Sequence, residues 1–313
     1  MGMPTEGGHS DDARPILVTG ATGRHGGTGG HVVNDLLARG LRVRALVRTH
    51  DERAERLTAL GAHVVVGDFA DYDSLIGALG GVRAAYFCYP MGPGIAEAAG
   101  LFAGAARETG LPWLVDLSLA ASDPRSLSPQ GRAQWVAEKA FEWAGIEGVH
   151  LRIEAFFLEN LLQVHGRQIR ENSVIRNAFG DFPVGWITGA DVGAMAAALL
   201  ADRMLVDERT YIAGPTVRMT YGQIADTITE VTGYRVIYQE ITADQWRDEM
   251  IADAAAQGRA NPRGAAHLAA QAMSLRAKPQ AAVRDDVTRL TGKPPTALAD
   301  FITDSSRQLT GHP

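Results

Sequence analysis

The chain has 313 residues, a net charge of −6, 46% apolar residues and a single cysteine, Cys88. That profile describes a globular chain with ample core and leaves no room for a disulfide framework or a cysteine zinc cluster. It also lacks the basic balance of a nucleic-acid-binding protein, so no direct nucleic-acid partner is expected.

The opening stretch, MGMPTEGGHSDDAR, is polar and glycine-rich, without the apolar segment of a signal peptide. Glu6 stands where a myristoylation signal needs Ser or Thr. Residues 1–13 are expected to form a disordered tail. No apolar run approaches the roughly 18 residues of a membrane span, and the nine histidines show no paired spacing for a metal. A cytoplasmic location, no membrane contact and no metal are the expectations.

From Arg14 onward apolar runs alternate with amphipathic ones. Strands are expected at Ile16–Thr19, Val43–Val47, Val64–Val66, Ala84–Cys88, Trp113–Leu117 and Val149–Arg152. Helices are expected between them at Val32–Arg39, Arg53–Leu60, Asp73–Leu79, Glu97–Thr109 and Arg132–Trp143, with Asp71 or Asp73 as the N-cap of the third. Continuous apolar strands joined by amphipathic helices imply a parallel sheet covered on both faces, the doubly wound α/β (Rossmann) fold. The second half is less regular: a helix at Ala190–Ala201, a strand at Arg209–Ile212, a helix at Tyr221–Thr232 and a helical tail to Leu309. The expected organisation is a dinucleotide-binding domain over 14–152, with 185–213 returning to it. A smaller C-terminal α/β part, 153–184 and 214–313, would form a cleft.

The stretch GATGRHGGTGG, Gly20–Gly30, lies between the first strand and the first helix, and six of its eleven residues are glycine. A glycine pattern in that context allows close approach of a pyrophosphate to the N-terminus of a helix. Gly27, Thr28, Gly29 and Gly30 exceed the pattern, so the helix is expected to begin a turn late. Cofactor choice is read at the end of the second strand, where an acid holds the ribose of NAD and a base suits the extra phosphate of NADP. Arg48 stands there, with Arg24 in the loop able to close on the same phosphate. The cofactor expected is NADP(H).

Ile16–Gly26, Arg42–Arg48, Gly67-Asp68, Leu117-Ser118, Leu151-Arg152, Phe156–Leu162 and, further on, Thr210–Gly214 and Leu290–Pro295 together resemble the NmrA-like proteins, atypical members of the short-chain dehydrogenase superfamily. The resemblance covers nearly everything after Arg14. It implies NADP(H) bound to a Rossmann domain, and either reduction of quinones, azo compounds or dyes, or regulation through a protein partner. It further implies that Gly20, Thr22, Gly23 and Gly26 face the pyrophosphate and that Arg48 takes the 2′-phosphate. Asp68 and Phe69 would lie beside the adenine, and Tyr89 and Pro90 on the nicotinamide side. Ser118 would end near the reacting ring, and Tyr89, Phe156 and Asn160 would line the substrate pocket.

Two departures narrow the chemistry. Ordinary short-chain dehydrogenases place Tyr and Lys four residues apart on one helix face, where the Tyr passes a proton. Here Gln130 and Gln134 occupy those places, and the nearest lysine, Lys139, has Trp135 four residues before it, an indole that cannot titrate. Lys139 is a catalytic candidate against a structural helix residue. Ser118 is a candidate for orienting the acceptor against a strand-end residue bonding to backbone. Second, LRIEAFFLEN carries one residue more than the family pattern between Arg152 and Glu159. The extra residue as a bulge would turn Glu154 into the cleft as an acid or base, against a solvated loop carboxylate.

The leading expectation is an NADPH-dependent oxidoreductase that transfers hydride to a quinone-like or conjugated aromatic acceptor without a Tyr/Lys dyad. The alternatives are a non-catalytic NADP(H) sensor acting through a protein partner, and a biosynthetic isomerase or lyase with Glu154 as base. A homodimer is compatible with any of them.

Overall fold

The computed structural model describes residues 13–23, 27–258, 262–276 and 282–311. The expectations for residues 1–12 and for Arg24 and Gly26 lie outside the described residues.

The first half winds through β1 (Ile16–Val18), α1 (Thr28–Ala38), β2 (Val43–Val47), α2 (Glu52–Ala59), β3 (His63–Val66) and α3 (Tyr72–Leu79). It continues through β4 (Ala84–Phe87), α4 (Ile95–Glu108), β5 (Leu114–Leu119), α5 (Pro129–Trp143) and β6 (Gly148–Ile153). Local chemistry sets the helix starts. Asp51 accepts from the Arg53 and Ala54 N–H groups to open α2, Asp71 accepts from Ser74 to open α3, and Ser128, followed by Pro129, opens α5.

The second half runs through β7 (Phe156–Phe157), α6 (Gly166–Asn172), β8 (Val174–Asn177), β9 (Val184–Ile187), α7 (Gly189–Ala201), β10 (Thr210–Ala213), β11 (Val217–Met219) and α8 (Tyr221–Thr232). It ends with β12 (Ile237–Glu240), α9 (Ala243–Ala256), α10 (Pro262–Arg276), α11 (Asp286–Thr291) and α12 (Leu298–Thr310).

Seven strands form one sheet in the order β10-β6-β5-β4-β1-β2-β3, every neighbouring pair parallel. Its two faces carry separate cores: one with Val32, Leu36, Leu57 and Met195 from α1, α2 and α7, the other with Leu75, Phe102 and Phe141 from α3, α4 and α5. Burying each such side chain contributes about 1.5–3 kcal/mol, which is why the strands read as unbroken apolar runs. The chain leaves this sheet after β6 and returns with α7 and β10. β9 instead joins β7 and β11 in a second, three-stranded sheet, and β8 pairs with β12. A third core, with Phe179, Trp186, Tyr221 and Trp246, fills the C-terminal part.

The late start expected for the first helix is not what the structure has. Thr28, Gly29 and Gly30 form the first turn of α1, and Gly27, at φ +58°, is its N-cap. The extra glycines are needed for packing. A Cβ on Gly29 would lie 2.6 Å from the Gly20 carbonyl carbon and oxygen, and a Cβ on Gly193 of α7 would lie 2.5 Å from the His31 Cβ. Helix α1 is thus held tightly between the turn after β1 and α7.

Candidate functional site: two adjoining clefts

β1 lies between β4 and β2, and the chain leads from it in both directions across the sheet, so the carboxyl ends of these strands open a crevice at the switch point. A groove of about 330 Å³ occupies it. Gly20, Thr22 and Gly23 line it after β1, Arg48 and Arg53 after β2, Asp68 and Phe69 after β3, and Tyr89 and Pro90 after β4.

Thr19 ties the floor together: its hydroxyl oxygen accepts from the Cys88 N–H at 2.9 Å and faces the Tyr86 carbonyl at 3.1 Å. Above it the backbone is closely packed. Gly20 has φ +69°, with a Cβ position 3.0 Å from the Cys88 carbonyl oxygen, and a Cβ on Gly23 would lie 2.9 Å from the Gly20 oxygen. No side chain caps α1. Bare backbone and an uncapped helix start are what a pyrophosphate requires, so these residues fit a dinucleotide.

At the other end, Arg48 is exposed at the tip of β2. Arg53, absent from the sequence-based candidates, joins it in the lining. It donates through Nε and Nη2 to Asp51 Oδ2 at 3.0 and 2.7 Å, and through Nη1 to the Thr22 carbonyl at 3.1 Å. The hydrogen bonds from Arg53 hold the Asp51 carboxyl down at about 2. One signal was available: a basic residue in the first turn of a helix opposes the helix dipole and calls for a compensating role. Asp68 closes its own turn, accepting from the Ala70 N–H at 2.9 Å.

Tyr89 was expected on the nicotinamide side of the cofactor and in the substrate pocket. Its ring packs on Phe69, 5.4 Å between centroids, and its hydroxyl reaches the Pro93 carbonyl at 3.4 Å. It lines the first groove beside Phe69 and is absent from the lining of the second cleft. Gly94, at φ +99°, makes room for it, since a Cβ there would lie 2.7 Å from the Tyr89 oxygen.

The second cleft, about 690 Å³, begins one residue beyond Pro90, at Met91. Its walls come from the segment after β5, the end of β6, the approach to β9, and α10. Phe156 and Asn160 line it. Phe156 stacks edge-on against Phe179, and Asn160 is buried with no hydrogen-bond partner for its Oδ1. Glu154 also lines it, exposed. No strand bulge turns Glu154: β6 stays in register with β10 through Ile153, and the Glu154 N–H continues the ladder to the Ala213 carbonyl at 2.8 Å.

The other two catalytic candidates lie outside both clefts. Ser118 is fully buried and its hydroxyl donates to Glu138 Oε1. Glu138, also buried, accepts from Arg152 Nε at 2.9 Å and Nη2 at 2.5 Å. Ser118 is therefore part of the support of Arg152, whose own side chain does line the second cleft. Lys139 is paired with Glu142 at 2.6 Å on a partly exposed face of α5. Gln130 and Gln134 are buried, and Gln134 donates to the Leu117 carbonyl at 3.1 Å. They share one face of α5 with Glu138. Sequence reasoning also missed Ser128 and His267, both in the wall of the second cleft. They lie 139 positions apart with no motif to join them.

Among the described residues no group of three His, Cys, Asp or Glu side chains is placed to hold a metal, and no helix is long and apolar enough to cross a membrane.

The chain is 28% identical over 293 residues to an NAD(P)H azoreductase of Xenophilus azovorans, covering 91% of this chain and 96% of that one. It is 31% identical over 291 residues to a (4-alkanoyl-5-oxo-2,5-dihydrofuran-3-yl)methyl phosphate reductase of Streptomyces griseus, with the same coverages, 91% and 96%. An NADPH-dependent quinone oxidoreductase of Escherichia coli, solved with NADPH, shares the fold with a TM-score of 0.76 at 25% identity, over 92% of this chain and 99% of that one. The model of the NmrA-like family matches residues 12–258. The groove, the sheet that builds it and a match over most of the chain agree, and the protein belongs to the NmrA-like family.

Proposed function

We propose that the protein is an NADP(H)-dependent oxidoreductase that reduces a quinone-like or otherwise conjugated acceptor without a Tyr/Lys dyad. The observation that carries this reading is the adjacency of the two clefts: the segment after β4 lines both, Pro90 the glycine-lined groove and its neighbour Met91 the aromatic-walled cleft. Gly20, Thr22 and Gly23 would hold the pyrophosphate, Arg48 and Arg53 the 2′-phosphate, and Phe69 and Tyr89 the adenine side. When bound, NADPH supplies a hydride. Phe156 and its neighbours exclude water and orient a flat acceptor. The neutral Gln130 and Gln134 suit an acceptor whose reduced form delocalises its charge and takes its proton from water, whereas an isolated carbonyl would need a titrating donor. The named activities of the relatives, on azo compounds, a quinone and an alkanoyl-dihydrofuranone phosphate, support an acceptor of that class.

The test is NADPH oxidation by purified protein with quinone and azo acceptors. Turnover that depends on the acceptor and saturates with it is expected. Tight NADPH binding without turnover on any such acceptor would instead favour a dinucleotide sensor.

A further inference from the structure

Ser128 and His267 form a close polar side-chain contact in the wall of the second cleft that the proposed function does not use. Ser128 Oγ and His267 Nδ1 are 2.6 Å apart, and both residues are buried in the cleft wall. Helix α10 packs against α5 and so brings His267 to the N-cap of α5.

The direction of that hydrogen bond follows from the cap. Ser128 Oγ accepts from the Gln130 N–H at 3.1 Å and from the Gly131 N–H at 3.2 Å. A hydroxyl oxygen has two acceptor positions and one proton. With both positions taken by backbone, the proton is what remains, and it goes to His267 Nδ1. The ring's own proton is then on Nε2. A doubly protonated ring would direct a third N–H at the same oxygen, so the arrangement disfavours a proton on Nδ1. It also argues against Ser128 as a nucleophile, because its lone pairs are engaged by the helix.

We propose that His267, held in its Nε2–H form by Ser128, is the hydrogen-bond donor of the second cleft for an acceptor that carries a carbonyl or azo lone pair. The proposal rests on the reductase reading. Negative charge grows on the acceptor's terminal oxygen or nitrogen as the hydride arrives, and a fixed neutral donor in a cleft walled by Phe156, Leu268 and Leu275 stabilises it more than water would. The final proton comes from solvent. His267 has a further interaction besides Ser128, with which an acceptor atom in the cleft would compete. Ser128 is the positioning residue, acting only through the ring.

The test compares wild type, His267→Leu and His267→Gln, whose amide nitrogen can reach the position of Nε2. Three quantities are read: NADPH affinity, kcat/KM for a naphthoquinone, and binding of that quinone in the presence of NADP⁺. NADPH affinity should stay within about twofold, because the groove is separate from this wall. His267→Leu should lower kcat/KM by about tenfold to a hundredfold and His267→Gln should restore most of it. A proton–nitrogen correlation spectrum of wild type should find Nε2 protonated and Nδ1 not. Equal loss in both variants would assign His267 to packing, and full activity of His267→Leu would remove its role; either overturns the proposal. So would an Nδ1–H or doubly protonated ring at neutral pH. If wild type fails to turn over any quinone, the reductase reading fails, and the binding series still decides the role of His267. No quinone binding at all overturns both.

Discussion

The first groove is made within Gly20–Ala98, at the ends of four neighbouring strands, whereas the second cleft draws on chain from Met91 to Leu275. One is built of backbone: glycines at short contact, strand ends and a helix start, with two arginines at its rim. The other is built of side chains carried by loops, a strand end and a distant helix, and held by buried polar bonds. A backbone-built site tolerates little change in volume, because nothing near it can rotate away. A side-chain-built site tolerates change at its rim but depends on its buried supports.

That contrast can be broken by substitution. The largest effect is expected at the support of the second cleft. Glu138→Ala removes the carboxylate from beneath Ser118 and Arg152 and leaves a partly buried guanidinium without its partner, at a cost of about 4 kcal/mol. Urea unfolding measures it, and a loss under about 1 kcal/mol would show that the network contributes little to stability.

Next is the backbone-built groove. Gly29→Ala forces a methyl against the Gly20 carbonyl and should cost about 3 kcal/mol, together with most of the NADPH affinity. Thermal unfolding and calorimetric titration read the two effects. An unchanged affinity would mean that α1 can shift without disturbing the glycine turn.

Glu159, which lines neither cleft, gives a smaller effect that depends on pH. Burial pushes its carboxyl up to about 7, partly offset by backbone N–H groups including that of Gly189 at 2.8 Å. The folded state therefore holds the proton more tightly than the unfolded state, whose ordinary value is 4.5. Stability from this residue is highest below that value and is lost progressively as pH rises from there through about 7. Glu159→Gln should flatten the decline between pH 5 and 7 in a series of denaturation curves. An unchanged decline would assign it to other groups.

The smallest effect is expected at Lys139. Its bond to Glu142 lies on a partly exposed helix face, outside both clefts. Lys139→Ala should change stability by less than about 0.5 kcal/mol and leave turnover intact. A large loss of activity would return Lys139 to the chemistry.

The same contrast explains what could be read without the structure. The strands from Ile16 to Arg152 are apolar runs joined by amphipathic helices, so the parallel sheet and the glycine turn follow from local pattern. Arg48 follows from its distance along the chain. Gly29 was misjudged because its need arises from the approach of α1 to Gly20, a tertiary contact with no sequence mark. Ser118 was placed near the reacting ring because it ends a strand, but its side chain turns toward α5 and Glu138. Tyr89 follows the right strand, yet packing on Phe69 directs it into the first groove. His267 meets Ser128 only because α10 folds back on α5.

The most direct test of the dinucleotide groove is calorimetric titration with NADPH, NADP⁺ and NADH, on wild type and on Arg48→Ala and Arg53→Ala. The account predicts that NADPH binds much more tightly than NADH, and that each variant loses about tenfold or more for NADPH with little change for NADH. Equal binding of NADPH and NADH, or no loss in either variant, would contradict it.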